Sequence, residues 1–237
     1  MKKFFSFILV IININCFAQA NRWFVSLSTT STIGGPSASL KAQMVDQNFN
    51  QTDETSFLGI EFSTKYPIVT KDGALLLRGG YKLDDRKGLY FVAGRSAKGS
   101  VEGFKKEGYS DFWFIGGSYG QNIEIDYTTY QVTAGYLYSF PNTRFKAGFG
   151  PSLFLLNYST TENYTNKQSH SSLVPGATGT ARIPLGKEKR LFGVELVFEG
   201  NAALPVKMKG DFKESGFKPG NVNMLSANIG LAFSFRR

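Results

Sequence analysis

The chain has 237 residues, 15% of them aromatic and 19% charged, with 26 glycines and a formal net charge of +9. That length holds one large domain or two small ones, and no Pro/Ser-rich linker or charge block divides it. A single histidine and a single cysteine exclude a His/Cys metal centre, and the scatter of Lys and Arg argues against a nucleic-acid surface.

Lys2 and Lys3 precede an apolar run from Phe4 to Ile12, and Ala18-Gln19-Ala20 is a small-x-small cleavage site. Residues 1–20 therefore read as a secretory signal peptide and 21–237 as the mature domain. Asn13 and Asn15 end the apolar run short of the ~20 residues a helical span requires. Cys16 lies inside the export segment, with Asn15 where lipoprotein processing wants a small residue. The mature chain then has no disulfide and no thiol ligand. Without Lys2 and Lys3 it carries 25 basic against 18 acidic residues, a surplus suited to turns and loops near anionic head groups. Beyond residue 20 no apolar run is long enough for a membrane helix, so any span must be made of strands.

Arg22 to Thr32 alternates as a first strand, with Trp23, Val25 and Leu27 on one face, and Gly34-Gly35-Pro36 stops it. Leu40, Met44, Val45 and Phe49 then fall near helical spacing, which predicts a short amphipathic helix within a long loop. Phe57 to Tyr66 alternates again, a turn at Thr70 to Gly73 follows, and Leu75 to Leu83 forms the next strand. Leu89 to Ser96 and Asp111 to Tyr119 read as strands separated by a Gly- and Lys-bearing connection over Lys98 to Tyr109. A polar bend at Gly120 to Asp126 leads to Tyr127 to Phe140, the turn Pro141-Asn142-Thr143-Arg144 and the strand Phe145 to Tyr158. Ser159 to Ser169 is a polar loop. Strands at Ser171 to Leu185 and Phe192 to Phe198 flank a turn at Gly186 to Arg190, and Gly200 to Asn221 is a long loop.

The final strand sets the pattern for the rest. Leu225, Ala227, Ile229, Leu231, Phe233 and Phe235 share one face, while Ser226, Asn228, Gly230, Ala232, Ser234 and Arg236 share the other. The expected fold is all-β: a transmembrane antiparallel up-and-down β-barrel of about ten strands, with eight as the alternative count.

With its export segment, repeated two-faced strands and the closing run Ile229-Gly230-Leu231-Ala232-Phe233-Ser234-Phe235, the chain resembles the small outer-membrane β-barrel proteins of Gram-negative bacteria. The resemblance implies residence in the outer membrane among its lipid and lipopolysaccharide. It also implies insertion by the barrel-assembly machinery, with Leu231, Phe233 and Phe235 as the insertion signal; Arg236 and Arg237 follow the last aromatic, a departure from the usual ending.

Strand parity places Glu61, Lys65, Arg78, Lys82, Lys146, Arg182, Glu195 and Glu199 on the inward face, a mixed-sign set expected to pair across the lumen. A lumen so filled predicts a structural or surface-binding protein that meets an extracellular ligand or protein through the loops Ser37 to Thr55, Ser159 to Ser169 and Gly200 to Asn221. No enzyme activity, cofactor, metal or nucleic acid is expected. Three rivals stand beside it: a narrow, porin-like solute channel, a secreted soluble ligand-binding barrel with its apolar faces inward, and a lipid A-modifying esterase. The last would use His170 and Ser172, a His-x-Ser pair similar to that of outer-membrane lipid A deacylases, with Glu188 or Glu195 as loose candidates for the supporting carboxylate.

Overall fold

The computed structural model describes residues 23–112, 115–164, 166–186, 192–210 and 212–236. The expected export segment, residues 1–20, and residues 187–191 of the expected turn lie outside these. In chain order the elements are β1 (Trp23–Gly34), α1 (Pro36–Asp46), β2 (Thr52–Phe57), β3 (Ile60–Lys65), β4 (Ile68–Asp72), β5 (Ala74–Lys82), β6 (Lys87–Phe112) and β7 (Ile115–Ser139). They continue with β8 (Lys146–Glu162), β9 (Asn166–Pro184), β10 (Phe192–Ala203), β11 (Val206–Lys207), β12 (Asn221–Val222) and β13 (Ser226–Arg236).

Eight of these strands form a ring. Each of β1, β5, β6, β7, β8, β9, β10 and β13 pairs antiparallel with the next, and β13 returns to β1, from Phe24 opposite Arg236 to Gly34 opposite Ser226. Of the two counts expected, about ten and eight, the described residues form the ring of eight. The strand read at Phe57 to Tyr66 belongs to a hairpin outside the ring. The strand read at Asp111 to Tyr119 spans the end of β6 and the start of β7, and β7 runs unbroken through the bend expected at Gly120 into the strand read from Tyr127.

Strand length explains the miscount. A strand needs about 9–11 residues to cross the hydrocarbon, yet β6 has 26 residues and β7 has 25. Their outer parts exceed that length, and there only the inner face, at Val101, Ile123 and Ile125, is held apolar, so the two-faced signal weakens although the ladder continues from Lys98 opposite Thr128 to Phe112 opposite Ile115. Beyond Arg95 this hairpin extends by roughly 50 Å of strand at about 3.3 Å per residue. For the same reason Ser159 to Ser169, expected as a loop, is largely the paired outer part of β8 and β9.

The outer hairpin carries a second tier of structure. β4 lies on the edge of β6 at residues 98–102 and β5 on the same edge at 88–95, so 68–82 is one strand interrupted at Gly73, where a side chain would meet the carbonyl of Thr30 at 2.7 Å. On the other side, β2 pairs with the start of β7 and β3 pairs with β2. The β2–β3 turn uses Leu58 at φ 51° and Gly59 at φ 77°, the positive-φ pair of a two-residue hairpin. The opposite rim has short connections. At one of them Asp84 accepts hydrogen bonds from the backbone N–H groups of Arg86 (2.7 Å) and Lys87 (2.8 Å), which closes the turn and holds its carboxyl below the usual range.

Candidate functional site

Inside the ring, strand parity turns small, polar and charged side chains inward. Arg78 on β5 is ion-paired with Glu199 on β10, both fully buried. Its Nε donates to Ser28 Oγ at 2.9 Å, and Gln131 Nε2 donates to the other oxygen of Glu199 at 2.7 Å. Arg182 on β9 is ion-paired with Glu195 on β10, donates to Ser26 Oγ at 3.3 Å and lies over the ring of Phe24 at 4.8 Å. Hydroxyl contacts at 2.7 Å link Thr133, Ser152 and Thr178, and Thr178 donates to Asn201 at 2.9 Å. This polar girdle crosses the lumen from wall to wall, and its buried charges are matched within it. Beside it, Leu76, Tyr90, Val92 and Leu137 form an inward apolar patch that the simple rule of a polar interior does not anticipate.

Beyond the girdle the lumen is stoppered by an apolar cap. α1 starts after Gly34 and Gly35, both at positive φ, with Pro36 in its first turn. It buries Leu40 and Met44 against Val101, Ile123, Ile125 and Leu156 of the wall. Ser39, Gln43 and Gln47, at four-residue spacing on the same helix, hold the incoming strap by its backbone. Gln43 donates to Asn221 O (2.9 Å) and accepts from Gly220 N (2.8 Å), while Gln47 donates to Lys218 O (2.9 Å) and accepts from Lys218 N (2.7 Å). The strap inserts Val206, Met208, Phe212, Phe217, Val222 and Met224 into the cap, with Phe217 edge-on to Phe49 and Phe212. Residues 200–221, expected to be a polar binding loop, are therefore in good part a plug.

The sheet made by β3, β2, β7, β6 and β4 stands above this cap. It leaves Phe57, Leu58, Ile60, Phe62, Ile115 and Tyr119 exposed. Glu54 and Lys106 form an ion pair at 2.8 Å across it, and Glu102 lies directly opposite Glu124. Burial, reinforced by Asp126 and Glu102, pushes the carboxyl of Glu124 up.

The outside of the ring is the reverse of its inside. Leu27, Leu75, Leu77, Phe91, Val132, Phe149, Leu153, Leu173, Phe198, Ile229, Leu231 and Phe233 are all exposed around the wall. Near the short-turn rim Trp23 stacks beside Tyr81 at 4.8 Å, and Tyr138, Phe140 and Phe145 cluster at 5.1 and 5.3 Å. A continuous apolar belt ending in an aromatic girdle, around a closed cylinder whose interior is polar, is a surface made for hydrocarbon.

The chain is a membrane-spanning β-barrel.

In bacterial barrels of this build the short-turn rim is the periplasmic side and the long-hairpin side is extracellular; here Trp23 and Arg236, the first and last described residues, lie at the short-turn rim. The outer-membrane barrel OprG from Pseudomonas aeruginosa has a similar fold, at 12% identity and a TM-score of 0.46 over 92% of this chain and 98% of that one. Ail of Yersinia pestis, in complex with the heparin analogue sucrose octasulfate, is similar at 10% identity and a TM-score of 0.43 over 92% and 100% of the two chains. Neisserial surface protein A (NspA) is similar at 11% identity and a TM-score of 0.38, covering 91% and 97%. Such distant likenesses concern architecture alone. No protein-family model and no curated protein sequence matches the chain.

Of the eight residues expected inside the barrel, Arg78, Arg182, Glu195 and Glu199 lie in the girdle. Glu61 and Lys65 do not: they are exposed on β3, because the alternation at 57–66 belongs to the extracellular hairpin. Lys82 is not in the girdle either: it is exposed at the end of β5, on the short-turn rim, paired with Asp85 at 2.8 Å. Lys146 is half-buried at the start of β8, on the rim and opposite Arg182 in register. Leu231 and Phe233 face outward at 38% and 49% exposure, which is incompatible with the soluble barrel with inward apolar faces. Phe235 is paired through its backbone with Val25, and its side chain lies outside those described. His170 and Ser172 share the inward parity of β9. His170 packs beside Tyr158 at 5.3 Å, and its Nε2 has no hydrogen-bond partner among the described residues. Glu188 lies outside the described residues, and Glu195 is committed to Arg182.

The sequence reading missed the plug. Its signal was present as Val206, Met208, Phe212, Phe217, Val222 and Met224, apolar residues too regularly supplied for a solvated loop but without helical or strand periodicity.

Proposed function

We propose that this outer-membrane barrel is a non-catalytic surface-binding protein whose extracellular sheet meets a partner while its lumen stays shut. The observation that carries this reading is the combination of a lumen closed twice, by the ion-paired girdle and by the apolar cap, with an extracellular tier that exposes Phe57, Leu58, Ile60 and Phe62 far from lipid. Exposed apolar side chains on a rigid projecting scaffold are a feature of interaction sites. Against catalysis stands the placement of His170 and Ser172 on the lumen side, whereas an esterase acting on lipid A needs its nucleophile where the acyl chains are.

Two measurements test the proposal. Wild-type barrels in planar bilayers should add no steady conductance. Cells displaying the wild-type chain should attach to one another or to a cell monolayer more than cells displaying a chain in which residues 53–64 are replaced by a Gly/Ser linker. Steady conductance, or equal adhesion at equal surface display, would overturn the reading.

A further inference from the structure

The proposal begins with the edge of the extracellular sheet. Because β2 and β3 are joined by a two-residue turn, Phe57 and Ile60 form its closing hydrogen-bonded pair, and hydrogen-bonded pairs recur at every second residue. The backbone groups of Ile60, Phe62 and Thr64 therefore point to β2. The alternation holds on the far side of β2, where the N–H of Glu54 turns away from β3 and donates to Ser118 Oγ on β7 at 3.2 Å. On β3 the groups left facing outward are those of Glu61, Ser63 and Lys65. Among the described residues β3 pairs with β2 alone, and all six of its residues are exposed.

An exposed edge of this kind is a template for another strand, and here the side chains specify which one. Glu61 and Lys65 flank Ser63 symmetrically, lie on one face, and have no ion-pair partner among the described residues. An antiparallel copy of the same strand, centred on Ser63, sets Ser63 opposite Ser63, Glu61 opposite Lys65 and Lys65 opposite Glu61. All three are hydrogen-bonded pairs, made from the residues whose backbone groups are free. On the other face the same register brings Phe62 of the two copies into diagonal contact and merges their apolar patches.

Symmetry then fixes where such a pair can form. The two-fold axis relating antiparallel strands in one sheet is perpendicular to that sheet, and β3 continues the barrel wall through β2 and β7. The axis is therefore radial to the barrel and reverses its direction. Two barrels side by side in one membrane cannot make this pairing, whereas two in facing membranes can. We propose that the free edge of β3 is a homotypic adhesion site, joining copies of this chain on apposed membranes by antiparallel pairing about Ser63 with Glu61 of each copy against Lys65 of the other. It rests on the reading of the extracellular sheet as the binding part, and it names the partner.

The test uses the full mature chain, one barrel per dimyristoylphosphatidylcholine nanodisc, so that only contacts between discs are counted. Wild-type discs at micromolar concentration should sediment as pairs in analytical ultracentrifugation. Glu61→Lys and Lys65→Glu should each weaken pairing by about tenfold or more, since each replaces two opposite-charge contacts with two like-charge ones. Mixing the two variants should restore pairing, because a copy with two basic side chains flanking Ser63 then faces a copy with two acidic ones. Ser63→Pro, which removes the central outward N–H, should abolish it. Heat-modifiable gel mobility verifies that each variant is folded. Wild-type discs that stay single, variants that pair like wild type, or a mixture that stays single would each overturn the proposal. If discs stay single while displayed wild-type chain still mediates adhesion to a cell monolayer, the homotypic site fails and the surface-binding function stands.

Discussion

Changing Glu199 to Gln tests whether the girdle is dry. The substitution keeps size and shape, so it leaves no cavity; it removes one charge facing Arg78, which is buried and otherwise held by Ser28 Oγ at 2.9 Å. Breaking a buried pair by deleting one charge costs about 3–5 kcal/mol, because the survivor is left uncompensated in a poorly polarizable interior. Arg78→Met should cost a similar amount, leaving the carboxylate of Glu199 with Gln131 as support. The double variant Arg78→Met/Glu199→Gln, which removes both charges, should return to within about 2 kcal/mol of wild type. The coupling between the sites should therefore exceed about 3 kcal/mol. Urea unfolding of barrels in phosphatidylcholine vesicles, followed by tryptophan fluorescence and by heat-modifiable mobility, measures all four corners of the cycle. Single variants costing less than about 1 kcal/mol, the range of exposed ion pairs, would mean that water reaches the guanidinium. The reading of the lumen as shut would fail with them.

Three further outcomes follow from other parts of the molecule. Leu231→Arg puts a charge on the belt and should destabilise the folded barrel by up to about 2–4 kcal/mol in vesicles, depending on depth, whereas the same change on a water-facing surface would be nearly silent. Phe212→Ala combined with Phe217→Ala should loosen the strap, so that added protease cuts within 204–225 while the ring remains folded by gel mobility; unchanged protection would show that these rings do not hold the cap. Glu124→Gln should slow amide exchange in the outer β6–β7 hairpin near pH 7. The raised pKa of Glu124 means the folded hairpin binds the proton more tightly than the unfolded chain, so its stability falls as pH rises from the unfolded to the folded value. The difference between variant and wild type should vanish at pH values below both, and a difference that persists there would refute the electrostatic cause.

The parts legible in the sequence are those where two solvents act on one strand. β13 must offer Leu231 and Phe233 to lipid and Asn228, Ala232 and Ser234 to the lumen, so its alternation is complete. The same parity places Arg78, Arg182, Glu195 and Glu199 inward, but which arginine meets which glutamate depends on strand stagger around the closed wall, and Arg78 and Glu199 are 121 positions apart in the chain. α1 is legible from Leu40 and Met44, whose spacing matches a helix turn. Outside the membrane the code weakens. One face of the outer β6–β7 hairpin is covered by the cap through Val101, Ile123 and Ile125, while glycines and the bulge at Glu107 interrupt the alternation over residues 98–109 although the ladder continues on either side of it. Glu61 and Lys65 mislead for the complementary reason, since β3 alternates without being part of the wall.

The ring is sewn shut by its first and last strands, with Val25 beside Phe235 and Gly34 beside Ser226. Until the final residues have emerged, both lateral borders lack their partners, and no shorter product can complete the cylinder. A chain stopped before Ser226 would lose the strand that bridges β10 to β1. Assembly of this ring is thereby all-or-none with respect to chain length: a prematurely terminated product lacks the strand that joins its two borders.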